Sequence, residues 1–134
     1  MRESGILMHI TSLPGPYGVG TLGCEAKKFV DFLHQAGQRC WQLLPVGPTG
    51  YGNSPYQSCS TYAGNTYLVD PALLAEQGLL TQAELMDAQA PASDRVDFGW
   101  LYNTRLDLLR KAFARFAPNE DYRAFCAEAG NWLP

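Results

Sequence analysis

The sequence predicts an α/β fold founded on one βαβ unit, and three observations carry that prediction. Two short apolar runs, Gly5–Ile10 and Arg39–Leu44, lie one helix apart. Between them Ala26, Phe29, Val30, Leu33 and Ala36 recur at three- and four-residue steps, the period of a single helical face. Two strands joined by a crossover helix must run parallel.

Each element follows from local pattern. In the first run Ile6, Leu7, Met8 and Ile10 are nearly continuous, which suits a strand buried on both faces. A Gly/Pro-rich loop, Thr11–Gly20, leads to a helix over Gly23–Ala36, and Gly37 stands where a left-handed C-terminal cap is expected. The second strand, Arg39–Leu44, opens into a long loop, residues 45–67. Parallel strands bring their carboxyl ends to one side. The loop beginning Thr11-Ser12-Leu13-Pro14 and the loop from Pro45 are therefore expected to meet at the edge where α/β folds bind ligands. Asp70, before Pro71, reads as turn chemistry, and beyond it the pattern is helical. Thr81 and Glu84 form a capping box with Leu80 and Leu85 as its hydrophobic staple. Ala88–Asp94 reads as a linker. Asp97 is placed to cap a long helix with an expected apolar face of Phe98, Leu101, Tyr102, Leu106, Leu109, Phe113 and Phe116. Pro118 ends it, and Asn119 caps a last helix carrying Tyr122, Phe125, Cys126 and Ala129 on one side.

The totals narrow the function classes. A chain of 134 residues, 46% hydrophobic and with a formal charge of −3, suits one average globular domain. Weak acidity and scattered basic residues argue against nucleic acid, whose phosphates call for clustered Lys and Arg. No run approaches the apolar length of a membrane span, and the amino terminus lacks a signal-peptide pattern, so a cytoplasmic protein is expected. Cys24, Cys40, Cys59 and Cys126 make no C-x-x-C pair. Free thiols are expected, not a zinc site or disulfides. No metal or organic cofactor is expected, and the pattern says nothing of oligomeric state.

The chemistry concentrates in Pro45–Ser58. Glycine and proline break regular structure there, yet the stretch also carries aromatic and amide side chains that ordinary turns do not need. Tyr51 and Tyr56 offer a ring to the C–H face of a pyranose and a hydroxyl to its rim. Asn53, Ser54 and Gln57 donate and accept hydrogen bonds without adding charge. The loop is expected to form one wall of a site for a neutral, polyhydroxylated ligand. Tyr62, Asn65 and Tyr67 are expected to pack and pin it.

The segment Gly50-Tyr51-Gly52-Asn53-Ser54-Pro55-Tyr56-Gln57-Ser58 closely resembles the amylomaltases, or 4-alpha-glucanotransferases. Arg2–Pro14 and Ala63–Asp70 fit the same family. The resemblance is strong over residues 2–80 and looser over 81–134; the family more often has Asp where this chain has Asn53. It implies a (β/α)8 barrel with inserted subdomains. Such a barrel takes typically about 250 residues, so the chain is expected to be an amino-terminal part of one. Residues 1–70 would be the first βαβ portion with the substrate loop, two of the eight strands, and residues 71–134 a helical insertion. The resemblance also implies retaining transfer of an α-1,4-glucan segment to an acceptor glucan, maltooligosaccharides as partners, and Tyr51, Asn53, Ser54, Tyr56 and Gln57 as glucan contacts.

Retaining transfer needs two carboxyl groups about 5 Å apart. Neither predicted strand ends in an acid, and Asp31, Glu84, Asp107 and Glu128 fall on helical patterns. In the resembling family the catalytic acids come from later strands, so no catalytic residue is assigned here and the chain alone is expected to be inactive. Two other readings stand beside this one. A glucan-binding module would hold sugar without chemistry. An NAD-binding oxidoreductase is suggested by Gly18-Val19-Gly20-Thr21-Leu22-Gly23, a G-x-G-x-x-G run before a helix. Against it, about seven residues separate the run from the strand, and no acid follows near Gln42–Pro45 to hold a ribose. His9, near the end of the first strand, is a further candidate for substrate contact.

Overall fold

A computed structural model describes residues 3–133. Arg2, which begins the upstream motif, lies outside the described residues, as do Met1 and Pro134. Strand β1 (Gly5–Leu7) and strand β2 (Cys40–Gln42) pair in parallel, with Gly5 opposite Cys40, Ile6 opposite Trp41 and Leu7 opposite Gln42. One further bond lies past each end: the Arg39 N–H donates to the Ser4 carbonyl at 3.0 Å and the Met8 N–H to the Gln42 carbonyl at 3.1 Å. Helix α1 (Cys24–Gln35) joins the two, and Gly37 adopts the expected left-handed conformation, φ 71°, just past its end.

Both strands are shorter than expected, and neither is buried on both faces. Ile6 is 40% exposed and Leu7 58%. Among the described residues each strand has a single partner, so nothing extends its ladder or covers its outer face. Beyond Met8 the chain leaves the sheet into a 3-10 turn, Ile10–Ser12, closed by the Ser12 N–H on the His9 carbonyl at 3.0 Å. Pro45, with no N–H to give, stands three residues after β2.

Two apolar clusters hold the fold. Ile10, Leu13, Ala26 and Leu68 form the first, with Met8, Phe29 and Trp41 packed against it. Leu80, Leu85, Leu108 and Ala112 form the second, joined by Tyr17 and Leu74. The second draws on helices α2 (Pro71–Glu76), α3 (Gln82–Asp87) and α4 (Phe98–Arg115); α5 (Glu120–Glu128) closes the chain. The caps read at Thr81, Asp97 and Asn119 are made, and Asp70, read as turn chemistry, caps α2 as well. The Asp70 carboxylate accepts from the Ala72 N–H at 2.8 Å, Thr81 and Glu84 complete their reciprocal box, Asp97 accepts from the Trp100 N–H at 2.9 Å, and Asn119 from the Tyr122 N–H at 2.8 Å. The staple pair, Leu80 and Leu85, is buried in one cluster.

The faces of the later helices need correction. On α4 the buried stripe is Leu101, Arg105, Leu108 and Ala112; Tyr102, Leu106 and Phe113 face solvent, Phe113 at 73% exposure. Two stripes of similar spacing run along α4. The one carrying small Ala112 lies against Leu80 and Leu85, and it is completed by an arginine whose charge is satisfied internally. On α5 only Ala129, at its cap, is buried. Tyr122 and Phe125 remain exposed, packing edge-on against Phe116 and Trp132.

Candidate functional site

The loop after β2 folds back into a hairpin closed by an antiparallel bridge between Thr49 and Ser58. The approach is close: a Cβ on Gly47 would lie 2.6 Å from Ser58 Oγ. Inside the bridge two turns follow without a break. The Asn53 N–H donates to the Gly50 carbonyl and the Gln57 N–H to the Ser54 carbonyl, both at 3.1 Å. Gly52, φ 94°, occupies the third place of the first turn, as a type II turn requires, and Pro55 the second place of the next. Asn53 itself sits at φ 55°, a region that Asn and Asp tolerate better than other side chains. Asn53, or an Asp in its place, meets the same backbone demand.

All five sequence-predicted residues lie on this double turn. Tyr51 is fully exposed (106%) and Tyr56 is 72% exposed, so neither ring is consumed in packing within the described chain. Asn53 and Ser54 are half-buried and Gln57 is exposed. The base is pinned as expected. The Asn65 N–H donates to the Val46 carbonyl at 2.8 Å, and Asn65 Oδ1 accepts from the Tyr67 N–H at 2.9 Å. The Tyr67 ring lies 6.2 Å from Phe98, and Tyr62 stacks on Trp132 at 6.0 Å. Trp41 lies in the first cluster, beneath the start of the loop. Its ring packs edge-on to Phe29 at 4.9 Å, and its Nε1 donates to the Met8 carbonyl at 2.7 Å inside the first cluster.

Among the described residues two buried polar atoms, His9 Nδ1 and Thr49 Oγ1, lack hydrogen-bond partners. Both stand beyond the carboxyl ends of the strands. Burial pushes the His9 imidazole below its ordinary pKa, which favours the neutral form. The two loops at this edge share a base, since Leu13 and Leu68 belong to one cluster. Farther out they part, and the Thr11–Val19 rim faces residues 90–98 across a groove of about 780 Å³. Neither this groove nor a smaller cavity of about 210 Å³ beside α4 is lined by the hairpin. The hairpin tip projects, with Tyr51 and Tyr56 exposed. Sequence reading treated residues 88–94 as a plain linker and missed the groove, whose only sequence signal is polar and charged residues beside Trp100.

The glycine run before α1 has packing reasons. Gly18 is at φ 77° under the Trp100 ring. A Cβ on Gly20 would overlap the Ile10 carbonyl, and one on Gly23 the Asp70 carboxylate. Asp70 also accepts from the Thr21 hydroxyl. The run is a close-packed joint between the Gly/Pro loop, α1 and the start of α2.

A family model of 4-alpha-glucanotransferases matches residues 8–134. The chain belongs to the 4-alpha-glucanotransferase family. The family match therefore extends well past residue 80, where the resemblance had looked loose. The chain is 53% identical to the 4-alpha-glucanotransferase of Thermus thermophilus over 129 residues, covering 94% of this chain and 25% of that one. It is 48% identical to that of Streptococcus pneumoniae over 137 residues, covering 98% and 27%. Among solved structures, an amylomaltase from Streptococcus agalactiae in complex with acarbose superposes with a TM-score of 0.86 at 42% identity, over 96% of this chain and 26% of that one. The chain thus spans about a quarter of the length of these 4-alpha-glucanotransferases. Among the described residues no helix is long and apolar enough to cross a membrane, and no group of three or more His, Cys, Asp and Glu is placed to hold a metal ion.

Proposed function

We propose that this chain supplies a glucan-contacting wall of a 4-alpha-glucanotransferase and not its catalytic carboxylates. The observation that carries the proposal is the double-turn hairpin, which holds Tyr51 and Tyr56 out in solvent beside Ser54 in a chain of this family. Rings that pack on nothing else are available to the apolar faces of glucose units. Ser54, Asn53 and Gln57 then bond the hydroxyl rims. The similarity to an amylomaltase solved in complex with acarbose supports a saccharide ligand, and we read it as a maltooligosaccharide.

In this reading β1, α1 and β2 are the opening βαβ portion of a (β/α)8 barrel within residues 1–70, and residues 71–134 are a helical insertion. The exposed strand faces and the two separate apolar clusters support that division. The reaction is retaining transfer: a glucan segment is held covalently on a carboxylate and passed to the 4-hydroxyl of an acceptor glucan. Transfer outruns hydrolysis when the acceptor fills the site and displaces water. Neither β1 nor β2 leads into an acid, so the carboxylate pair lies elsewhere in the enzyme.

Two measurements test this. Maltotriose titrated into the protein and followed by 1H–15N NMR moves the amides of Tyr51–Gln57; an unmoved hairpin overturns the wall. The purified 134-residue chain releases no glucose from maltotriose; release overturns the division of labour between wall and carboxylates.

A further inference from the structure

We propose that the groove between the Thr11–Val19 loop and residues 90–98 is a second saccharide site, separate from the hairpin. Its volume, about 780 Å³, falls in the range of small-molecule sites. It shares no lining residue with Thr49–Ser58. Its walls are fixed to one another. The Ala90 N–H donates to the Pro16 carbonyl at 2.8 Å across the groove, and the Trp100 ring covers Gly18, where a Cβ would come within 3.0 Å of it. The Asp97 cap holds the first turn of α4, and with it Trp100, in place.

The lining fits a neutral polyol better than an ion. Asp94 and Arg95 stand side by side on the rim, exposed, and among the described residues neither side chain has a hydrogen bond or ion pair. A guanidinium fork donates and a carboxylate accepts, and adjacent sugar hydroxyls do both. With Asp97 also in the lining, two carboxylates face one guanidinium, and this slight negative balance does not attract a phosphate or a carboxylate. Ser12 adds a hydroxyl, and Trp100 and Phe98 add apolar ring surface for the C–H faces of a pyranose. The choice of an α-1,4-glucan as the saccharide rests on the family reading above; the groove itself does not.

The test is a maltotriose titration of the wild-type protein and of the double variant Asp94→Ala/Arg95→Ala, read residue by residue in 1H–15N NMR. Both substitutions are on exposed side chains without partners, so the fold is retained. In the wild type the signals of Ser12, Arg95 and the Trp100 indole move with their own binding curve, distinct from that of Tyr51–Gln57. In the double variant the groove affinity falls at least about ten-fold while the hairpin curve is unchanged. Movement confined to the hairpin overturns the second site and leaves the proposed wall intact. Movement confined to the groove, lost in the variant, upholds the second site and removes the wall. Groove signals that respond equally in both proteins overturn the assignment of Asp94 and Arg95.

Discussion

Arg105, buried within α4, donates from Nη2 to the carbonyl of Tyr17 at 2.9 Å, across 88 positions of chain. Its Nη1 donates to the Val69 carbonyl at 3.3 Å. One side chain of the helical half thereby ties down the Gly/Pro loop after β1 and the segment that leaves the hairpin. Burial pushes the guanidinium pKa down, and nearby Asp70 opposes that shift.

Replacing Arg105 leaves two carbonyls without their donors and a void on the buried stripe. Arg105→Ala is expected to cost about 3 kcal/mol of stability, since each hydrogen bond to a charged group contributes about 1.5–3 kcal/mol. Arg105→Lys keeps the charge but loses the fork that reaches two acceptors, and should fall between the two proteins. Urea denaturation measures all three; an Arg105→Ala midpoint equal to wild type would show that the tie is idle.

Glu84 gives a pH dependence with a defined sign. Arg115 donates to both its oxygens, at 2.7 and 2.9 Å, and the Thr81 N–H donates to Oε2 at 2.9 Å, which together lower its pKa from 4.5 to about 2. The folded pKa lies below the unfolded one, so the stabilisation is fully present above about pH 4.5. It is lost as pH falls toward about 2, because there the unfolded chain takes up a proton more readily than the folded one. Glu84→Gln should melt at a lower temperature than wild type at pH 7, and the gap should close by pH 2. A gap that persists at pH 2 would place the effect in packing and not in charge.

Position 53 separates backbone demand from side-chain role. At φ 55° a β-branched residue is strained, so Asn53→Val is expected to destabilise the hairpin by about 1–2 kcal/mol. Asn53→Asp and Asn53→Gly should preserve it. Hydrogen exchange at the Asn53 and Gln57 amides, which close the two turns, reads the difference directly. Faster exchange in Asn53→Asp would mean that the amide, and not the left-handed backbone, holds the turn.

What was legible in the sequence was what short-range chemistry decides. Thr81 with Glu84, Asp97 and Asn119 each cap a helix through contacts three residues away, so the sequence contains both partners; Asp70, read only as turn chemistry, caps α2 in the same local way. The break from regular structure over Pro45–Ser58 was legible for the same reason, since its glycines and prolines act locally, whereas the hairpin that the Thr49–Ser58 bridge closes was not read. Which stripe of α4 is buried was not legible, because both stripes carry large apolar residues and the choice falls to distant Leu80, Leu85 and Tyr17. Arg105 was invisible as a core residue, since its acceptors are carbonyls 36 and 88 positions away. The strands read as doubly buried because their apolar runs suit that setting, whereas burial depends on neighbours that a run does not name. The groove was missed because its walls come from two segments that only the fold brings together.

The exposed tyrosines allow function to be separated from folding. Tyr51 is fully exposed, so Tyr51→Ala should change stability by no more than about 0.5 kcal/mol, the usual range for surface positions away from special features. Tyr56→Ala, at 72% exposure, should behave alike. If the rings are glucan platforms, each substitution weakens maltooligosaccharide binding several-fold, the loss of stacking contact being about 0.5–1.5 kcal/mol beyond the area buried. Phenylalanine at either position keeps the platform and removes the rim hydroxyl, so its deficit should be smaller. Isothermal titration with maltotriose beside thermal melts distinguishes the cases. Binding lost together with stability would make the tyrosines structural, and binding unchanged in Tyr51→Ala and Tyr56→Ala would move the glucan contact away from the hairpin tip.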